Sequence, residues 1–322
     1  MKPDPAHPLR RVDALEAGLT DFQLRLLYTE GGWRRLGYGS YVSSSNYALL
    51  SDVARHVLAV DALLPCVDDA AVVSHHSAAV LHRLPLTGIN LSKVHVTRDR
   101  KGGGRSSARS VVHCAPLEEV EILDGRRVTT QARTVVDMGR TASLDTAVAL
   151  GDAAVRGGLS HSALNLELDR ARGRKGIAAA RQAIEILDGR SESVGESLSR
   201  TRLLTAGFRD LDPQAKIVDT EGRIIARVDI LAARKVVIEF DGEVKYGRDL
   251  RPGQDPGDVV FEEKKREDNV RALGYPFVRI TWDELWNFDP VVKRIEQALA
   301  LAEKLPTPLG RVIYMPPFGS RS

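Results

Sequence analysis

Between Arg227 and Tyr246 the chain reads RVDILAARKVVIEFDGEVKY, an apolar run interrupted by Asp229, Glu239 and Asp241. Side chains along a β-strand alternate faces with period two. Val236, Ile238 and Phe240 are therefore expected on one face, toward a core. Val237, Glu239 and Asp241 are expected on the other, which makes the two carboxylates neighbours. Asp229 stands in a similar apolar setting a hairpin's length upstream. A carboxylate at the edge of a core is costly unless it meets a cation or a metal. Two readings follow: the acids hold a divalent ion, or they form salt bridges with Arg227, Arg234 and Lys235.

At 322 residues the chain exceeds one small core, and two or three domains are expected. A net charge of +3 permits a nucleic-acid partner without requiring one, so any basic signal must be local. Cys66 and Cys114 have no metal-ligand spacing and read as free thiols in a reducing compartment. The start, MKPDPAHPLRR, has no apolar signal core, and no later stretch approaches a membrane span. The expected location is cytoplasmic.

The spacing of Leu15, Leu19, Phe22, Leu26 and Leu27 predicts a helix within 13–32, and WRRLGYGSYV predicts a hairpin over 33–42. Together they suggest a winged helix-turn-helix over residues 1–44, with Arg25, Arg34 and Arg35 suited to phosphate contacts. Residues 45–190 read as an α/β domain. Its strands KVHVTRD and SVVHCAPL flank RDRKGGGRSSAR, a basic, glycine-rich loop read as a solvated linker, with phosphate binding as the alternative. His75, His76 and His82 invite a metal reading. Two of them are adjacent, however, and no Cys or carboxylate completes a set, so a structural role is expected. Residues 191–304 predict helix, three strands, a long loop over 247–260, helix, strand, helix: a mixed sheet flanked by helices. The Pro/Gly-rich tail 305–322 is expected to be irregular.

Glu196, Asp229, Glu239, Asp241 and Lys245 form an ordered constellation within this last region. Metal-assisted cleavage of a phosphodiester needs hard oxygen ligands from several elements, activated water and a cation near the scissile phosphate. Simpler roles exist for some of them. Ser193 to Glu196 is also a capping box, Glu196 is spaced to pair with Arg200, and Asp241 precedes Gly242 as a turn residue would. Arg266 shares the stripe of Val270 and Leu273 on the 262–273 helix, so it points inward, to neutralise the acids or to meet phosphate. Lys264, Lys265 and Arg271 read as a solvated or DNA-facing rim.

The segments SVGESLSRTRLLTAGF, RVDIL, VVIEFDGEVKYG and EEKKREDNVRALGYPFVRITWDEL, in this order, resemble the PD-(D/E)XK nuclease superfamily, in its branch similar to very-short-patch-repair endonucleases. That resemblance covers about a third of the chain. It implies a restriction-endonuclease-like fold and Mg²⁺ (or Mn²⁺) held by Asp229, Glu239 and Asp241, with Glu196 beside them and Lys245 as cationic partner. The superfamily's E-x-K triplet reads Glu239-Phe240-Asp241 here, so the lysine role has moved, to Lys245 or Lys264. The repair enzyme's histidines are absent too, since none follows His161. Residues 12–160, through GLTDFQLRLLYTEGGWRRLGYGSYV, AVVSHHSAAVLHRLPL, KVHVT and VTTQARTVVDMGR, resemble AbiEi-type antitoxins of type IV toxin–antitoxin systems. This second resemblance implies DNA binding and a cognate toxin as partner. The expected function is a DNA-binding protein with a metal-dependent endonuclease domain; the alternative is an antitoxin-like regulator whose nuclease fold no longer cuts.

Overall fold

The computed structural model describes residues 8–242 and 256–316, and the chain divides into two compact units at Thr141/Ala142. Lys245 and most of the 247–260 loop lie outside the described residues.

The first unit opens with β1 (Leu9–Arg10), α1 (Arg11–Glu16), α2 (Asp21–Thr29), β2 (Trp33–Gly37) and β3 (Ser40–Ser43). The helix expected within 13–32 is thus two helices. Gly18, at φ 88°, takes a left-handed conformation that ends the first. A reciprocal capping box between Thr20 and Gln23 starts the second. The three strands pair antiparallel in the order β1-β3-β2, over a small core of Ala14, Leu24 and Tyr41. There follow α3 (Ser44–Leu49), α4 (Asp52–Leu63), β4 (Val72–Val73), α5 (His75–Leu81), β5 (Val94–Arg98), β6 (Arg105–Ser106), β7 (Ser110–Cys114), β8 (Val120–Leu123), β9 (Arg126–Thr129) and α6 (Gln131–Thr141). Their mixed sheet runs β6-β7-β5-β4-β9-β8. Valines explain the sheet: Val73, Val94, Val96 and Val128 bury one face against Val60, Leu63 and Ala78 of the helices. The basic stretch over 98–109 is not all loop, because Arg105 and Ser106 pair with Val112 and Val111.

The second unit comprises α7 (Leu144–Arg156), α8 (His161–Arg170), α9 (Ile177–Glu185), α10 (Val194–Thr205), β10 (Leu211–Val218), β11 (Ile224–Ala232), β12 (Val236–Asp241), α11 (Pro256–Ala272), β13 (Phe277–Thr281), α12 (Asp289–Lys304) and β14 (Arg311–Ile313). The sheet order is β13-β12-β11-β10-β14, with every pairing antiparallel except β12 with β13. Period-two alternation along β12 builds two cores. Val236 and Ile238 pack with Leu198 and Leu203 of α10 and Ile295 of α12, while Val237 packs with Val270 of α11. Helices therefore cover both faces of the sheet.

Two expectations change here. The tail is not wholly irregular, since Arg311–Ile313 pairs with Val218–Lys216 as an edge strand. The units also divide at 141 rather than near 190, so residues 142–190 belong with the second unit. A buried ion pair ties them there: Arg200 of α10 lies 2.8 Å from Asp152 of α7 and donates to the Ile186 carbonyl at 2.6 Å. Among the described residues, no helix is long and apolar enough to cross a membrane.

Candidate functional site

The acids lie where two strands part. β11 and β12 pair through Ala232↔Val236, Leu231↔Val237 and Ile230↔Ile238, and the ladder stops one step before Asp229 and Glu239. At the parting, the Asp229 carboxylate takes the place of a backbone acceptor and receives the Phe240 N–H at 2.8 Å. On the other flank β12 continues beside β13, with Glu239 level with Arg279 and Asp241 with Thr281. The β10–β11 ladder is also interrupted at this level. Gln214 falls between the pairs Pro213↔Ile230 and Ala215↔Val228, with φ at 57°, a left-handed conformation unusual for a residue with a Cβ.

That turn of the backbone aims Gln214 at Glu196, whose Oε2 accepts from the Gln214 amide at 2.8 Å. The same oxygen accepts the Glu192 N–H at 2.8 Å, and the Glu196 N–H donates to Ser193 Oγ at 3.1 Å. Glu196 thus closes the start of α10 much as a capping box does. It does not pair with Arg200, which is committed to Asp152. Its carboxylate is near enough to act on Asp229. Burial first, and then the Glu196 charge, push the Asp229 carboxyl up to about 6, against the opposing pull of the Phe240 N–H, Arg266 and Arg227.

Glu239 is buried, and both its oxygens lie 3.0 Å from Arg266 Nη2. Arg266 does point inward, and in this arrangement it neutralises Glu239. It also donates to the Arg227 carbonyl at 3.1 Å. Asp241 faces Arg279 at 3.8 Å. Arg227 and Arg234, weighed above as salt-bridge partners of the acids, turn elsewhere: Arg227 pairs with Glu192 at 2.6 Å and Arg234 lies over the Tyr314 ring. Among the described residues, Asp229, Glu239 and Asp241 do not bring three ligand oxygens within 4.8 Å of one another. Lys264 is exposed on α11.

In the first unit, Arg25, Arg34 and Arg35 are all exposed. Arg25 lies on the outward stripe of α2 beside the exposed Phe22 and Leu26. Arg34 lies 4.6 Å over the Tyr47 ring. With Arg35, Arg55, Arg83 and Arg109, it lines an open groove of about 1050 Å³. Arg55, Arg83 and Arg109 carry no periodic signal; the fold gathers them from separate elements. His76 and His82 are tied to backbone, at 2.8 Å from the carbonyls of Lys93 and Thr129, as a structural role requires.

No family model matches the chain. It is similar to two uncharacterized proteins of Mycobacterium tuberculosis, MT2308 of strain CDC 1551 / Oshkosh and Rv2248 of strain ATCC 25618 / H37Rv. Each is 28% identical over 274 residues, which cover 83% of this chain and 92% of the relative.

Proposed function

We propose that the chain binds DNA and that its second unit is a PD-(D/E)XK-like, metal-dependent phosphodiesterase. The observation that carries this reading is the order α10-β10-β11-β12-α11-β13, three antiparallel strands then a parallel one, with acids where the β11–β12 ladder parts. Carboxylate oxygens suit Mg²⁺ or Mn²⁺ in kind. Asp229, Glu239 and Asp241, with Glu196 beside them, would hold the ion once Arg266 leaves Glu239. When bound, the ion would activate water and neutralise charge on the phosphodiester. The Phe240 N–H orients Asp229, which holds a proton below about pH 6 and is ionised above it. Arg266, released from Glu239, would supply positive charge at the rim for the backbone phosphates. Exposed Arg25, Arg34 and Arg35 would contact phosphates from the first unit.

A second reading, an antitoxin-like regulator with a silent nuclease fold and a toxin partner, is favoured by the closure of Glu239 by Arg266. Cleavage of supercoiled plasmid and of single-stranded and mismatched oligonucleotides, with Mg²⁺ or Mn²⁺, separates the two. Cleavage by the wild type that falls about 100-fold or more in Asp229→Asn, with DNA affinity kept, supports the nuclease. Equal cleavage by both proteins sinks it. Salt-dependent, sequence-specific binding upstream of the protein's own gene, without cleavage, supports the regulator.

A further inference from the structure

Five histidines of the first unit crowd together, and they fall into two groups. His56 is satisfied on both nitrogens, by the Leu91 carbonyl and Ser77 Oγ, each at 2.8 Å, and His76 is held by the Lys93 carbonyl. His75, His95 and His113 instead turn toward one another. Each offers a ring nitrogen, and the three atoms all lie within 4.8 Å of one another. The His75 ring stacks on His113 with centroids 3.7 Å apart, and His113 Nε2 lies 3.1 Å from His95 Nδ1. The register explains the convergence. β5 and β7 run parallel with His95 level with Val111 and Thr97 level with His113, so His95 and His113 share one sheet face two residues apart.

His75 reaches the same point from α5 at a conformational cost, because its φ is 53°, a left-handed backbone that a residue with a Cβ seldom adopts. Strain of this kind concentrates at sites where function demands it. Its Nδ1 lies 3.0 Å from Ser74 Oγ, which in turn accepts from Thr97 Oγ1 at 2.8 Å, a contact that fixes the ring's orientation.

We propose that His75, His95 and His113 form a three-imidazole site for a first-row transition ion of zinc type, with one tetrahedral position left to water or a ligand. Tetrahedral ligand nitrogens about 2.0–2.1 Å from a zinc ion stand about 3.3 Å apart, so loading resets the three rings to that spacing by side-chain rotation. Burial holds each of the three rings neutral, the form that coordinates metal. Asp137, buried close by, is not a fourth ligand: Arg133 at 2.8 Å and Arg140 at 2.7 Å occupy its two oxygens. The absence of any thiolate from the set, and the partial exposure of His95 and His113, fit an accessible site better than a closed structural one.

The test uses the full chain, free of any polyhistidine tag and stripped with chelator, titrated with Co²⁺ and then Zn²⁺. The expected result is one Co²⁺ per chain with visible d–d absorption, displaced by Zn²⁺, and a raised melting temperature with either ion. His95→Asn and His113→Asn should each weaken Co²⁺ binding at least about 10-fold. The control His161→Asn, away from the cluster, and the acidic-site variant Asp229→Asn should keep the band. If both cluster variants fail to fold, imidazole ¹⁵N resonances of the wild type decide, with Zn²⁺ shifting those of His75, His95 and His113 and sparing His161. Folded wild type that shows neither the d–d band nor a Zn²⁺ shift overturns the site. So does a band that survives both cluster variants, or one lost in Asp229→Asn.

Discussion

The acidic strands of the second unit and the histidine cluster of the first bury polar side chains by opposite means. In the second unit the charges stay and are matched: Arg200 with Asp152, Arg266 with Glu239, Arg190 with Asp188. In the first, the histidine rings around α5 lose their charge and are matched as neutral groups, His56 through both nitrogens and His76 through one. Asp229 stands between these solutions. It is a carboxylate at a strand parting, and burial has moved it toward the neutral form without a full cationic partner. The difference shows how a site keeps a group responsive: paired groups are locked in one state, and a partly desolvated, weakly paired one titrates within reach of physiological pH.

The contrast should be visible first as opposite pH behaviour. Burial pushes His56 down to about 4, so the folded state binds fewer protons than the unfolded one between about pH 6.5 and 4. Stability of the first unit should therefore fall on acidification through that window, by up to about 3 kcal/mol from this residue. Calorimetric scans at stepped pH test this, and His56→Gln should lessen the slope by this residue's share, the other buried rings keeping theirs; an unchanged slope breaks the account.

Next in size, Arg266→Met leaves Glu239 buried beside an apolar neighbour. It should cost about 2–3 kcal/mol at pH 7.5, discounted because Arg266 is partly exposed, with most of the loss regained in the double variant with Glu239→Gln. Denaturant melts of the single and double variants measure the coupling.

Asp229 should behave in the opposite sense to His56. Its folded pKa lies above the unfolded value of about 3.9, so the protonated form is favoured by folding, and stability is lost as pH rises from about 4 to about 6. Asp229→Asn should then stabilise the second unit by about 1–2 kcal/mol at pH 7.5 and by nothing at pH 4. A stabilisation equal at both pH values would show that charge is not the cause.

The smallest effect belongs to the surface. Arg35→Ala should weaken DNA binding uniformly across sequences and lower the slope of log affinity against log salt by about one contact. Binding isotherms at three salt concentrations measure it, and an unaltered slope removes Arg35 from the interface.

Much of this was legible in the chain. Alternation over 224–241 placed two strands nearly to the residue and put Glu239 opposite Ile238, because a strand's faces are a local property. The inward aim of Arg266 followed from helical spacing. The double role of Glu196 was half visible: the Ser193 cap is local to α10, whereas the amide of Gln214 comes from β10. The division at 141 was hidden, since the pair that holds α7 to α10 joins residues 48 apart in sequence. The edge strand at Arg311–Ile313 was hidden as well, because three residues among prolines and glycines pair only where a partner edge waits.

By itself, then, the sequence determined most of the elements, the faces of the central strands and the acids placed along them, since backbone sterics and periodic solvation act within a few residues. Only the tertiary structure decided which charges meet. It gave Glu239 to Arg266 and Arg200 to Asp152, and it brought His75, His95 and His113 together from one helix and two strands. The reason is the short range of the forces that select partners. Hydrogen bonds and ion pairs in a desolvated interior act over a few ångströms, and packing alone sets those separations for residues distant along the chain.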